Sequence, residues 1–115
     1  MQRDLEAFEL VLLRRPANAP EYDEETLDRL QREHLAYRDE LRARGVLAVN
    51  GPMRDQADQR LRGMSLFRTG SLEETRRLNE QDPMFLAGRF EFEIMTFWCP
   101  AGSVTMPGRA FTLET

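Results

Sequence analysis

The chain contains no lysine: all 16 of its basic residues are arginine. That absence excludes Schiff-base chemistry on a protein amine, attachment of pyridoxal phosphate and a P-loop lysine. It has a single cysteine, Cys99, and a single histidine, His34. One cysteine forms no internal disulfide and fits a reducing compartment. One residue of each kind cannot build the usual His/Cys zinc site, which leaves only an all-carboxylate site open, and neither a metal nor a cofactor is expected. Long apolar runs are missing too; none approaches the roughly 20 residues of a membrane-spanning helix. The first residues, with Asp4, Glu6 and Glu9, do not read as a signal peptide. A net charge of −4 over 115 residues argues against a nucleic-acid partner, which calls for a basic surface. The expectation is one soluble, cytoplasmic domain that meets neither membrane nor nucleic acid.

What is present is strongly patterned. Residues 5–13 alternate with apolar side chains on both sides: Leu5, Ala7, Val11 and Leu13 with Glu9 one way, Phe8, Leu10 and Leu12 the other. Such a strand is central and buried from two sides. Arg14-Arg15-Pro16 and Pro20 open a loop. A helix over 25–45 follows, capped by Asp23 with Thr26 and ended by Gly45. Residues 46–49 read as a short strand, Asn50-Gly51-Pro52 as a turn, 53–62 as a long polar loop, and 63–68 as a third strand. Ser71 followed by Glu74 has the capping-box spacing for a helix over 72–80, which Asp82-Pro83 stops. Residues 90–98 form the last long strand. The order β-α-β-β-α-β predicts an α+β fold of ferredoxin-like type, a four-stranded antiparallel sheet with two helices on one face. The domain takes residues 1–99, and 100–115 form a tail with a short strand at 110–113. Two helices cover one face only, so the other apolar face predicts a homodimer in which the sheets of two copies meet.

Chemistry centres on His34. It interrupts the helical stripe of Leu27, Leu30, Tyr37 and Leu41, where a titratable ring needs a partner. It reads either as a core histidine bonded to a backbone carbonyl or as a general base oriented by a carboxylate. Glu33 and Asp39 lie off the stripe, and Arg38, one turn on, is a cation and no orienter. Asp82, between the second helix and the last strand, is placed to meet the first helix, although it reads equally well as the cap of a short turn opened by Pro83. Arg14, with Arg15, is a candidate clamp for a substrate carboxylate, set against a solvated loop entrance. Ser65 is a candidate pocket residue, set against a serine merely accommodated in a strand. Cys99 lacks a second histidine to activate it and reads as inert.

His34-Leu-Ala-Tyr37, then Gly45 before a strand, Gly51-Pro52, and Asp82-Pro83 followed by Gly88 and a strand together resemble the YCII-related domain family, over about residues 5–98. The resemblance implies a ferredoxin-like fold assembled as a dimeric α+β barrel. It also implies a His-Asp pair in a pocket acting in acid-base chemistry, which falls on His34 and Asp82. One branch is similar to enzymes that remove chloride from hydroxylated aromatic ring-cleavage intermediates, and the fold resembles that of muconolactone isomerase. Two functional readings follow. One is a cofactor-independent isomerase or lyase acting on a small cyclic or aromatic-derived metabolite. The other is a dimeric module that binds such a ligand without turnover.

Overall fold

The computed structural model of the chain describes residues 1–105 and 107–113. The elements are β1 (Leu5–Arg14), α1 (Glu24–Ala43), β2 (Leu47–Pro52), β3 (Leu61–Phe67), α2 (Leu72–Asn79), α3 (Pro83–Leu86) and β4 (Glu91–Pro100), followed by a 3-10 turn at Ser103–Thr105. The strands form one sheet in the order β2-β3-β1-β4 with every neighbouring pair antiparallel, the ferredoxin-like arrangement. β1 lies inside the sheet, with Val11 opposite Ser65 of β3 on one side and Ile94 of β4 on the other. Directly opposed residues share a face. Val11 and Leu13 therefore join Phe67 and Leu47 in the core beneath the helices, where Leu30, Leu41, Leu78, Met84 and Phe90 close the packing.

The local signals for α1 act as their chemistry requires. The Asp23 carboxylate accepts from the Thr26 backbone N–H at 2.9 Å, and Glu24 and Glu25 place negative charge on the first turn. Gly45, at φ +79°, turns the chain out of the helix in the left-handed region. The buried stripe of α1 is Leu30, His34, Arg38 and Leu41. Tyr37 is only half-buried and donates its hydroxyl to the Leu78 carbonyl at 2.8 Å. α2 is capped by Ser71, whose hydroxyl accepts from the Glu74 N–H. The reciprocal half of a capping box does not form, because the Glu74 carboxylate pairs with Arg77.

Two expectations need revision. Asn50-Gly51-Pro52 does not turn; β2 continues through it, with Gly51 opposite Met64 and Pro52 opposite Gly63. β2 is an edge strand, the one kind of strand that accommodates a proline. The backbones pack so closely here that a Cβ on Gly63 would lie 3.0 Å from the Gly51 carbonyl oxygen. The tail has no strand at 107–113; Phe111 and Leu113 are exposed. Instead the preceding 3-10 turn folds back, with Val104 packed on Phe8, Leu66 and Cys99 against the face away from the helices. The second sheet face is thus covered at one end by the chain itself, while Leu10, Leu12, Met64 and Met95 stay half-buried and Phe97 exposed. Among the described residues no helix is long and apolar enough to cross a membrane.

Gly88, at φ +76°, ends α3 with its Cα against the Pro20 ring; a Cβ there would lie 3.1 Å from two Pro20 carbons. Gly88→Ala is expected to lower stability by about 1–2 kcal/mol for the left-handed backbone, read as a lower denaturant midpoint. An unchanged midpoint would refute that assignment.

Candidate active site around His34

Asp82 stands at the junction of α1 and α3. Its backbone is extended (φ −66°, ψ 132°), Pro83 follows in the first turn of α3, and its carboxylate accepts the Met84 N–H at 2.9 Å. The same carboxylate faces the His34 ring. Nδ1 lies 2.8 Å from Oδ2 and 3.0 Å from Oδ1. Cap and imidazole partner, posed as alternatives by the sequence, are one group.

A third donor completes the cluster. Arg38 donates from Nε to Asp82 Oδ2 at 3.0 Å and from Nη2 to Asn79 Oδ1 at 2.8 Å. Its guanidinium carbon lies 5.6 Å from the Phe67 ring centroid and 5.7 Å from that of Phe92, in the range of cation–π attraction. Burial pulls this guanidinium below its ordinary pKa, and the Asp82 carboxylate opposes the pull. Arginine starts so far above neutrality that it stays charged. From the sequence Arg38 reads as a cation unable to orient an imidazole. The available signal was its position, four residues after His34 on the same helical stripe.

The donors fix the histidine tautomer. Backbone N–H and arginine Nε–H can only donate, so Asp82 accepts as a carboxylate, and Nδ1 of His34 carries a proton toward it. Nε2 has no hydrogen-bond partner among the described residues, and the side chain keeps 8% of its surface exposed. The Phe90 ring stands at right angles to the imidazole, 5.3 Å between centroids. Chemically this is a base with one nitrogen held and the other available.

α2 supplies the rest of the framework. Its buried residues are Thr75, Leu78 and Asn79. Asn79 Nδ2 donates to the Thr75 carbonyl, and the Thr75 hydroxyl donates to Glu9 Oε1 at 2.9 Å. Glu9, 5% exposed, also accepts the Thr69 N–H at 2.8 Å. Hydrogen bonds therefore run without interruption from β1 to His34.

Residues 10–98 match the model of the YCII-related domain. The chain belongs to the YCII-related domain family. No curated protein matches it in sequence. Among solved structures it is similar to 5-chloro-2-hydroxyhydroquinone dehydrochlorinase (TftG) from Burkholderia phenoliruptrix AC1100, in complex with 2,5-dihydroxybenzoquinone. That likeness has a TM-score of 0.53 at 22% identity, over 78% of this chain and 90% of the other, and shows a shared fold.

In this YCII-related chain the remaining candidates stand apart from His34. Arg14 is on the opposite sheet face, at 3.0 Å from Asp58 and 3.5 Å from Glu93. Ser65 lies on the helix-covered face but is fully buried, donating to Asn50 Oδ1 at 2.7 Å. Burial, together with the nearby Glu6 carboxylate, pushes the Cys99 thiol up, which keeps it protonated and unreactive.

Removing the shared carboxylate has a graded consequence. Asp82→Ala deletes a cap and strands a buried arginine, a loss on the order of 3–5 kcal/mol. Asp82→Asn keeps one acceptor oxygen, enough for either the Met84 N–H or the Arg38 Nε–H but not both, and is expected to cost less than Asp82→Ala. Chemical denaturation of both variants checks the order; equal losses would show that the charge and not the acceptor count dominates.

Proposed function

We propose that this YCII-related protein is a small cofactor-independent enzyme in which His34 is the general base and Asp82 holds the ring. The observation that carries the proposal is the imidazole itself: Nδ1–H held by the buried carboxylate, Nε2 without a partner among the described residues. Nε2 takes a proton from a carbon or hydroxyl of a small cyclic or aromatic-derived substrate. The electron pair left behind either expels a leaving group (a lyase outcome) or is reprotonated elsewhere on the substrate (an isomerase outcome). The dehydrochlorinase of similar fold supports the first outcome, in which the proton goes to the base and chloride departs. His34→Ala should lower turnover by roughly 10²–10⁴. The assay is chloride release from 5-chloro-2-hydroxyhydroquinone, with hydroxylated quinones and small lactones as further substrates. Unchanged turnover in His34→Ala would exclude His34 as the base, and failure of that variant to fold would make the histidine structural.

A second reading keeps the same residues without turnover. The 6% exposure of His34 favours it, since a ring so enclosed in one chain suits a fixture that binds a small acid or phenol. Binding of 2,5-dihydroxybenzoquinone without conversion of any hydroxyquinone would support this module over the enzyme.

The proposal includes a second copy of the chain packed against the apolar sheet face. Leu10, Leu12, Met64, Met95 and Phe97 line the part that the tail leaves open, and identical faces related by two-fold symmetry cover one another. Sedimentation at micromolar concentration should show two chains per particle, and Leu12→Glu should yield folded monomer. A monomeric native protein would exclude this assembly.

A further inference from the structure

We infer that Arg38 is a positioning residue that holds His34 as a neutral imidazole, with its proton on Nδ1 and its lone pair at Nε2. The inference rests on the reading of His34 as a base and states what keeps it one.

The argument is a count of charge in a closed space. Asp82 is 0% exposed, Arg38 1% and His34 6%. A buried Asp-His pair alone favours the imidazolium, because the carboxylate stabilises the proton on the ring. Here Arg38 already occupies Oδ2 of that carboxylate at 3.0 Å. Asp82 and Arg38 sum to zero, and a second proton on His34 would leave a net positive charge sealed from water. Such a charge is heavily disfavoured.

Among the described residues nothing else near the ring offsets it. From α1, Arg38 is the charged neighbour, and the Tyr37 hydroxyl is neutral, donating to the Leu78 carbonyl. α3 contributes Asp82 at its cap. α2 contributes the neutral Asn79, and the residue leading into β4 contributes the apolar Phe90 ring. Glu9, the other buried carboxylate on this face, is engaged by Thr69 and Thr75 rather than by Arg38. Arg38 in turn meets two aromatic rings and no second carboxylate among the described residues, and its Nη1 has no partner there. Its charge is committed to Asp82. The resting protein therefore presents an acceptor at Nε2, which suits abstraction of a proton as the first step.

Because the chain has one histidine, ring nitrogen resonances of the uniformly ¹⁵N-labelled full chain report on His34 alone. At neutral pH the native protein should show one protonated nitrogen, Nδ1, and one bare nitrogen, Nε2. An imidazolium, or a proton on Nε2, overturns the inference. In Arg38→Met the ratio of imidazolium to neutral ring at a given pH should rise at least about tenfold; an unchanged ratio overturns the inference. Arg38→Lys keeps the charge and should stay near the native ratio, whereas a ratio like that of the Met variant would remove charge as the cause. If the Met variant does not fold, the native and Lys spectra decide. No substrate enters these measurements, so they succeed or fail independently of the turnover of His34→Ala.

Discussion

A carboxylate with no access to water must be solvated by the protein, and the architecture around Asp82 follows from that requirement. Its donors come from two helices: the His34 ring and the Arg38 guanidinium from α1, and the Met84 N–H from the first turn of α3. α3 has four residues, too few to hold its place by propensity alone. Proline at its start, the Asp82 cap and the packing of Met84 into the core fix it instead. Any movement of α3 away from α1 would separate a buried carboxylate from two of its partners. One group thus joins the helices and orients the imidazole.

The same constraint explains the unusual inner face of α2. Two of its three buried residues are polar, and each engages a charged group: Thr75 meets Glu9, and Asn79 meets Arg38. Apolar residues at those positions would leave Glu9 and Arg38 short of partners, which is costlier than a less apolar interface. A buried polar network adds little net stability over a hydrophobic one. What it supplies is a single allowed arrangement of its side chains.

The sheet divides its two faces between different tasks. The face under the helices carries the core and the polar network, and the other is partly covered by the turn at Ser103–Thr105. That turn shields Phe8, Leu66 and Cys99, leaving the centre of the face apolar and open. Arg14 emerges on this second face, where Asp58 and Glu93 engage it, so a full sheet thickness separates it from His34. A strand end close in sequence to a loop gave no indication of which side the guanidinium would take.

The order of elements, the caps at Asp23 and Ser71 and the turn at Gly45 were legible in the chain, and Asp82 was legible as a candidate partner of His34 that read equally well as a cap. Caps and left-handed glycines act within a few residues, and periods of 2 and 3.6 report which side chains face inward. The extension of β2 through Gly51 and Pro52 was not legible, because turn residues on an edge strand are permitted by a neighbour that only the sheet provides. Nor was the interior place of Arg38. In sequence Arg38 is a cation one turn on from His34, and nothing local shows that a carboxylate and two aromatic rings will enclose it. By itself, then, the sequence determined the fold, which follows from local pattern, and it singled out His34, the one histidine, while leaving its partner open among 20 carboxylates. Only the tertiary structure decided that the carboxylate is shared with a buried cation, since a charge enters the core only where distant residues assemble partners for it.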